Sequence, residues 1–144
     1  MPLTRLFPNL GVSDYQVTSP PSADYNCIAW AALEDDRWWW PDPNRIFYWP
    51  EEAPREETLD GFVRTFELYG YESCTNTELE VGFEKVAIFV DADGEPTHMA
   101  RQMQSGRWTS KLGTLEDVEH NLRGLEGDRY GVVAAILRRP IRSF

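Results

Sequence analysis

The sequence predicts a single α+β domain, and three observations lead there. Helical patterns occupy the first half of the chain and strand patterns the second half. The strand-like runs are separated by Asp93-Gly94 and Ser105-Gly106, turn signals that join neighbouring antiparallel strands. The length of 144 residues is that of one domain, 1–144, and a chain of this size buries roughly 68–70% of its unfolded surface without needing a disulfide staple.

The elements follow in order. Residues 1–23 hold Pro8, Gly11, Pro20 and Pro21 with little periodicity, which predicts an extended lead-in packed on the domain. Ser22-Ala23-Asp24 offers helix N-caps. Tyr25 to Leu33 is apolar nearly all round, the mark of a buried helix, and stops at Glu34-Asp35-Asp36. Residues 37–54 form an aromatic loop, because Pro41, Pro43 and Pro50 forbid a continuous helix or an interior strand. Thr58 caps a helix over 59–69, with Leu59, Phe62, Phe66 and Tyr69 near helical spacing and Gly70 as its stop. Residues 84–91 make the best strand, 96–103 return after Asp93-Gly94, and 107–112 form a third strand. Thr114-Leu115-Glu116-Asp117 reads as the start of a short helix to about Leu122, and 130–137 as a last strand.

The formal net charge of −10 repels phosphate backbones and anionic lipid, so neither nucleic acid nor a membrane is expected as a partner. The same charge suits a basic protein partner and also simply keeps a protein soluble. No apolar run reaches membrane-span length and Met1 to Arg5 lacks a signal-peptide core, so a cytoplasmic location is expected unless a signal-independent system exports the chain. Cys27 and Cys74 read as free thiols. No cofactor and no metal is expected: Asp91 to Glu95 resembles half a calcium loop but lacks the remaining ligand positions, and reads as a hairpin turn.

The chemistry-bearing residues are few. Cys27 falls in the first turn of the first helix, where free N–H groups and the helix dipole favour a thiolate and can hold an oxyanion. This predicts that Cys27 is more reactive than Cys74. His98, one of two histidines, follows on a strand about 70 residues later, the order a helix-borne nucleophile and strand-borne base require. The third group should orient the imidazole. The strand after His98 contains no Asp, Asn, Glu or Gln, and Ser110 is its best-placed polar side chain. Asn26 either donates to the oxyanion beside the Cys27 N–H or satisfies backbone donors at the helix start. Trp38, Trp39 and Trp40 could cover the core, line a substrate cleft or form a partner surface, with Trp108 a further lining candidate. At least two of the three consecutive rings are expected to be buried against the first helix near Trp30.

Two resemblances rest on these residues. Tyr25-Asn26-Cys27-Ile28-Ala29-Trp30-Ala31, Trp38 to Pro41, Pro96-Thr97-His98-Met99-Ala100-Arg101-Gln102, Gly106 to Gly113 and Glu119-His120 look like a family of uncharacterised bacterial proteins. More distantly, the order Cys-helix, His-strand, Ser-Lys-x-Gly resembles papain-like hydrolases of the NlpC and CHAP kind. That likeness implies a papain-like fold, with N-terminal helices packed on an antiparallel sheet. It also implies thiol hydrolysis of a peptide or amide substrate, with Cys27 as nucleophile and His98 as base. The alternatives are a non-enzymatic acidic interaction protein, of the immunity or adaptor kind, and a catalytically degenerate papain-like domain.

Overall fold

The computed structural model describes residues 3–12 and 15–141. In chain order it contains helix α1 (Leu3–Leu6), strand β1 (Gln16–Ser19), helix α2 (Cys27–Ala31), helix α3 (Leu59–Glu67) and strands β2 (Glu72–Cys74), β3 (Phe83–Val90), β4 (Pro96–Gln102), β5 (Trp108–Lys111), β6 (Asp117–His120) and β7 (Val132–Pro140). Turns of 3-10 helix cover Pro8–Val12 and Leu122–Leu125. The seven strands form one sheet in the order β1-β6-β5-β4-β3-β7-β2, and every neighbouring pair is antiparallel. The architecture is therefore α+β, as the segregation of helical and strand patterns predicts.

The sheet separates two cores, which explains the unbroken apolar run from Val86 to Val90 in β3. Side chains alternate across a strand. Val86 and Ile88, with Met99 of β4, join Cys27, Ile28, Phe62 and Phe66 on the face covered by α2 and α3. Ala87 and Phe89, with Ala100, join Leu3, Phe7, Trp108 and Leu125 on the face covered by α1 and the 3-10 turns. The register Ile88↔Met99 and Phe89↔His98 assigns each β4 residue to one face or the other. Two buried lysines brace loops over this frame. Lys85 pairs with Glu80 at 2.7 Å and donates to the Asn76 and Glu78 carbonyls, while Lys111 donates to those of Ser22, Gly113 and Leu115. A buried ammonium is tolerable only with such a full set of acceptors.

α3 begins at the predicted cap, where Thr58 Oγ1 accepts from the Gly61 N–H at 3.0 Å, and it buries Phe62 and Phe66. Three expectations are corrected. α2 is capped by Asn26, not by Ser22 to Asp24, and is shorter than the apolar run, ending at Ala31. The segment at 114–122 is a hairpin turn followed by strand β6, not a helix. Gly113 adopts φ +61, Leu112 N–H reaches Glu116 O, and Val118 and His120 alternate with Asp117 and Glu119 across the sheet. A threonine and two acidic residues serve a turn as readily as a helix start. The lead-in is not extended throughout, since it contributes α1 and a 3-10 turn before edge strand β1.

In the aromatic loop one ring dominates. Trp39 is 2% exposed and packs against Tyr48, Trp49, Phe66 and Tyr69. Trp40 is half-buried on Phe62, and Trp38 is half-buried on Phe47. Trp30 instead packs on Tyr25 and under Arg101. The expectation of two buried rings near Trp30 is thus replaced by one ring wedged between α3 and the loop itself.

Candidate functional site

Cys27 is the first residue of α2, and Asn26 is its N-cap, with extended backbone at φ −118 and ψ −176. Asn26 Oδ1 accepts from the N–H groups of Ala29 (3.2 Å) and Trp39 (3.1 Å), and Nδ2 donates to Trp39 O at 2.8 Å. The amide therefore joins the helix start to the aromatic loop. Of the two roles open to Asn26, this geometry fits the one that satisfies backbone donors at the helix start. Nearby, the Tyr25 hydroxyl donates to Asp117 Oδ2 at 2.7 Å, while Asp117 Oδ1 is buried without a partner.

Cys27 itself is buried, 8% exposed. Burial pushes its thiol up to about 11, and the Met99 backbone N–H only partly offsets this. The expectation of a lowered thiol pKa gives way here because desolvation penalises the thiolate more than a helix of five residues stabilises it.

His98 lies on β4, but the strand turns its ring into the other core. The imidazole meets Phe89 edge-on at 5.1 Å and stacks on Tyr130 at 4.0 Å with a 7° interplanar angle. The next residue, Met99, faces Cys27's cluster. His98 is fully buried, and neither ring nitrogen has a hydrogen-bond partner. No thiol–imidazole hydrogen bond joins it to Cys27. Burial, and then the neighbouring His120, hold its pKa well below the ordinary value, so the ring is neutral.

Ser110 finds a different histidine. Its hydroxyl lies 2.7 Å from His120 Nε2, and His120 Nδ1 lies 2.7 Å from the Asn121 carbonyl. A carbonyl can only accept, so Nδ1 carries the proton and the Ser110 hydroxyl donates to Nε2. The structure brings Ser110 together with His120, and the hydrogen bond of its hydroxyl does not go to His98. The register Ser110↔Val118 and Trp108↔His120 brings Ser110 and His120 onto one face of the β5–β6 hairpin. Reading residues 114–122 as a helix hid that pairing.

This histidine makes a pH prediction. Burial lowers the His120 pKa to about 4, against 6.5 for a free imidazole. Between these values the unfolded chain binds the proton and the folded chain does not. Stability should therefore fall as pH drops from about 6.5 toward 4, by up to about 3 kcal/mol for His120 alone. Unfolding in urea at pH 7 and pH 4.5 tests this, and His120→Gln should show a visibly flatter profile. An identical pH dependence in that variant would remove His120 as the cause.

The proposed substrate-lining residues are dispersed. Trp39 and Trp108 are buried in different cores, at 2% and 3% exposure, so neither can line a cleft, while Trp38 and Trp40 stay half-exposed. The open grooves lie elsewhere. One runs beside Arg5, Asn9 and Arg129, and another beside Leu33, Leu68 and Ile141. Neither is lined by Cys27, His98 or Ser110. Among the described residues no group of three or more His, Cys, Asp or Glu side chains could hold a metal ion, and no helix is long and apolar enough to cross a membrane.

No curated protein and no solved structure matches the chain. The motif-bearing part, residues 16–138, does match a family: it spans β1 through nearly all of β7, including α2, the aromatic loop and the Ser110–His120 hairpin. The chain therefore belongs to the family of the domain of unknown function DUF7689.

Proposed function

We propose that this chain is a non-enzymatic acidic interaction protein, of the immunity or adaptor kind, which keeps a papain-like order of elements without a working thiol–imidazole pair. One observation carries the reading: His98 is buried with both ring nitrogens unpartnered, in the core opposite the one that holds Cys27. A thiol hydrolase needs its base within hydrogen-bond reach of the nucleophile or brought there by substrate. Burial, which pushes the thiol up to about 11, also disfavours the thiolate at neutral pH. The net charge of −10 and the exposed apolar side chains suit a basic partner.

A second reading keeps one supporting observation. Cys27 stands at the first position of α2, where the backbone groups of Met99, Ile28 and Cys27 itself favour the thiolate. That placement would suit a thiol hydrolase of peptide or amide bonds, with His98 as base after rearrangement. Brief iodoacetamide labelling with mass-spectrometric mapping separates the two. The interaction reading expects Cys27 to label at least tenfold more slowly than the half-buried Cys74, with the gap closing in denaturant. Faster labelling at Cys27 that His98→Ala abolishes would overturn it in favour of the hydrolase.

A further inference from the structure

A groove of about 590 Å³ runs between the end of α2, the end of α3 and the end of β7, lined by Leu33, Leu68, Tyr69, Glu84, Arg139 and Ile141. Four of these are apolar or aromatic side chains left in solvent, at 51%, 55%, 40% and 37% exposure for Leu33, Leu68, Tyr69 and Ile141. Scattered single apolar residues need no explanation, but a set gathered on one concave surface does.

Leu33 adds an independent sign. It sits just past the α2 C-cap at φ +69, the left-handed region. Leu33 N–H donates to Trp30 O and Glu34 N–H to Ala29 O, the hydrogen-bond pattern of a helix stop that normally uses glycine. A branched apolar residue pays for that conformation in strain, and here its side chain is held out over the groove. An observed backbone outlier of this kind points toward function.

The charge in the neighbourhood of the groove determines the occupant. Arg37, Arg64 and Arg139 are already paired with Glu34, Asp60 and Glu84. Asp35 and Asp36 follow Leu33 in the chain, and Glu52 and Glu67 line grooves that share Leu68. These four carboxylates have no ion pair among the described residues. A second copy of the chain would bring the same negative charge against this one, and an anionic membrane would be repelled likewise.

We propose that this groove docks a cationic amphipathic segment of a partner protein, apolar residues between Leu33, Leu68, Tyr69 and Ile141, and lysines or arginines reaching the neighbouring unpaired carboxylates. The inference rests on the interaction reading and gives it a surface.

Fluorescence anisotropy with a labelled amphipathic lysine–leucine peptide tests it, beside a glutamate–leucine peptide and a lysine–serine peptide. The lysine–leucine peptide should bind at least tenfold more tightly than either control. Leu33→Gly should weaken binding about tenfold while raising the melting temperature by about 3–6 °C, because glycine relieves the left-handed strain. Leu33→Ala should weaken binding similarly without that gain, and Leu68→Ser should also weaken it about tenfold. Glu52→Gln combined with Glu67→Gln should reduce the salt dependence of binding.

Unchanged affinity in both Leu33→Gly and Leu68→Ser would overturn the proposal. So would equal binding of the lysine–serine peptide, which would mean charge alone, or self-association that those variants abolish. Failure here leaves slow Cys27 labelling untouched. Fast, His98-dependent labelling would sink the interaction reading even if the peptide bound.

Discussion

Gly131→Ala should destabilise the fold by more than about 4 kcal/mol, a loss large enough to need a specific cause. Gly131 adopts φ +77, and a Cβ there would lie 1.8 Å from the Val90 carbonyl oxygen and 2.7 Å from its carbon. Those atoms belong to the interior strand β3 and cannot turn aside as a side-chain tip could. The same glycine closes the loop that carries Tyr130, with Gly131 N–H donating to Gly127 O at 2.8 Å and Gly127 N–H to Gly131 O at 3.0 Å. Tyr130 in turn stacks on His98 and contacts Phe7. Moving Gly131 therefore disturbs the cover over a whole core. Gly94→Ala is the comparison, since Gly94 has a similar φ of +80 but nothing within 4 Å of the added carbon. It should cost only about 1 kcal/mol. Urea unfolding of both variants measures the difference, and equal losses would show that backbone conformation rather than the Val90 collision sets the cost.

Trp39→Ala should cost about 3–5 kcal/mol, the range for removing a large core aromatic. Its ring fills the space between Trp49, Phe66 and Tyr69, and its Nε1–H donates to Glu34 at 2.8 Å. The same Glu34 carboxylate holds Arg37, whose guanidinium lies 3.5 Å from the Tyr48 ring centre. Trp38→Ala should cost about 1 kcal/mol, because that ring is half-buried and its indole donates only to Ala23 O. Thermal and chemical unfolding of the two variants decides this. Similar losses at both positions would mean that the loop is held by its prolines and backbone bonds rather than by the Trp39 wedge.

The legible parts of this protein are those with a local physical cause. The strand-like runs and turn residues from 83 to 112 specify three strands, because pleat and turn geometry act over a few residues. Thr58 followed by spaced aromatics specifies α3 for the same reason. Residues 114–122 were ambiguous because Thr, Asp and Glu satisfy a hairpin turn and a helix start alike. The hairpin forms because β5 offers Asp117 to His120 a complete antiparallel partner, a nonlocal term absent from the local pattern.

The candidate site separates the two levels further. The sequence alone placed a cysteine in the first turn of a helix and a histidine on a later strand, since apolar periodicity and turn signals are local. It also determined a strongly acidic chain with a proline-braced aromatic segment. Only the tertiary structure decided which face each side chain takes. The register Phe89↔His98 turns the imidazole toward Tyr130, whereas Met99 meets the cysteine's core. Because the side-chain period of a strand is two, a shift of one position exchanges the faces. Tertiary packing also decided the thiol's state, since burial outweighs a short helix's dipole, and it gathered Leu33, Leu68 with Tyr69, and Ile141, from three distant parts of the chain, onto one groove.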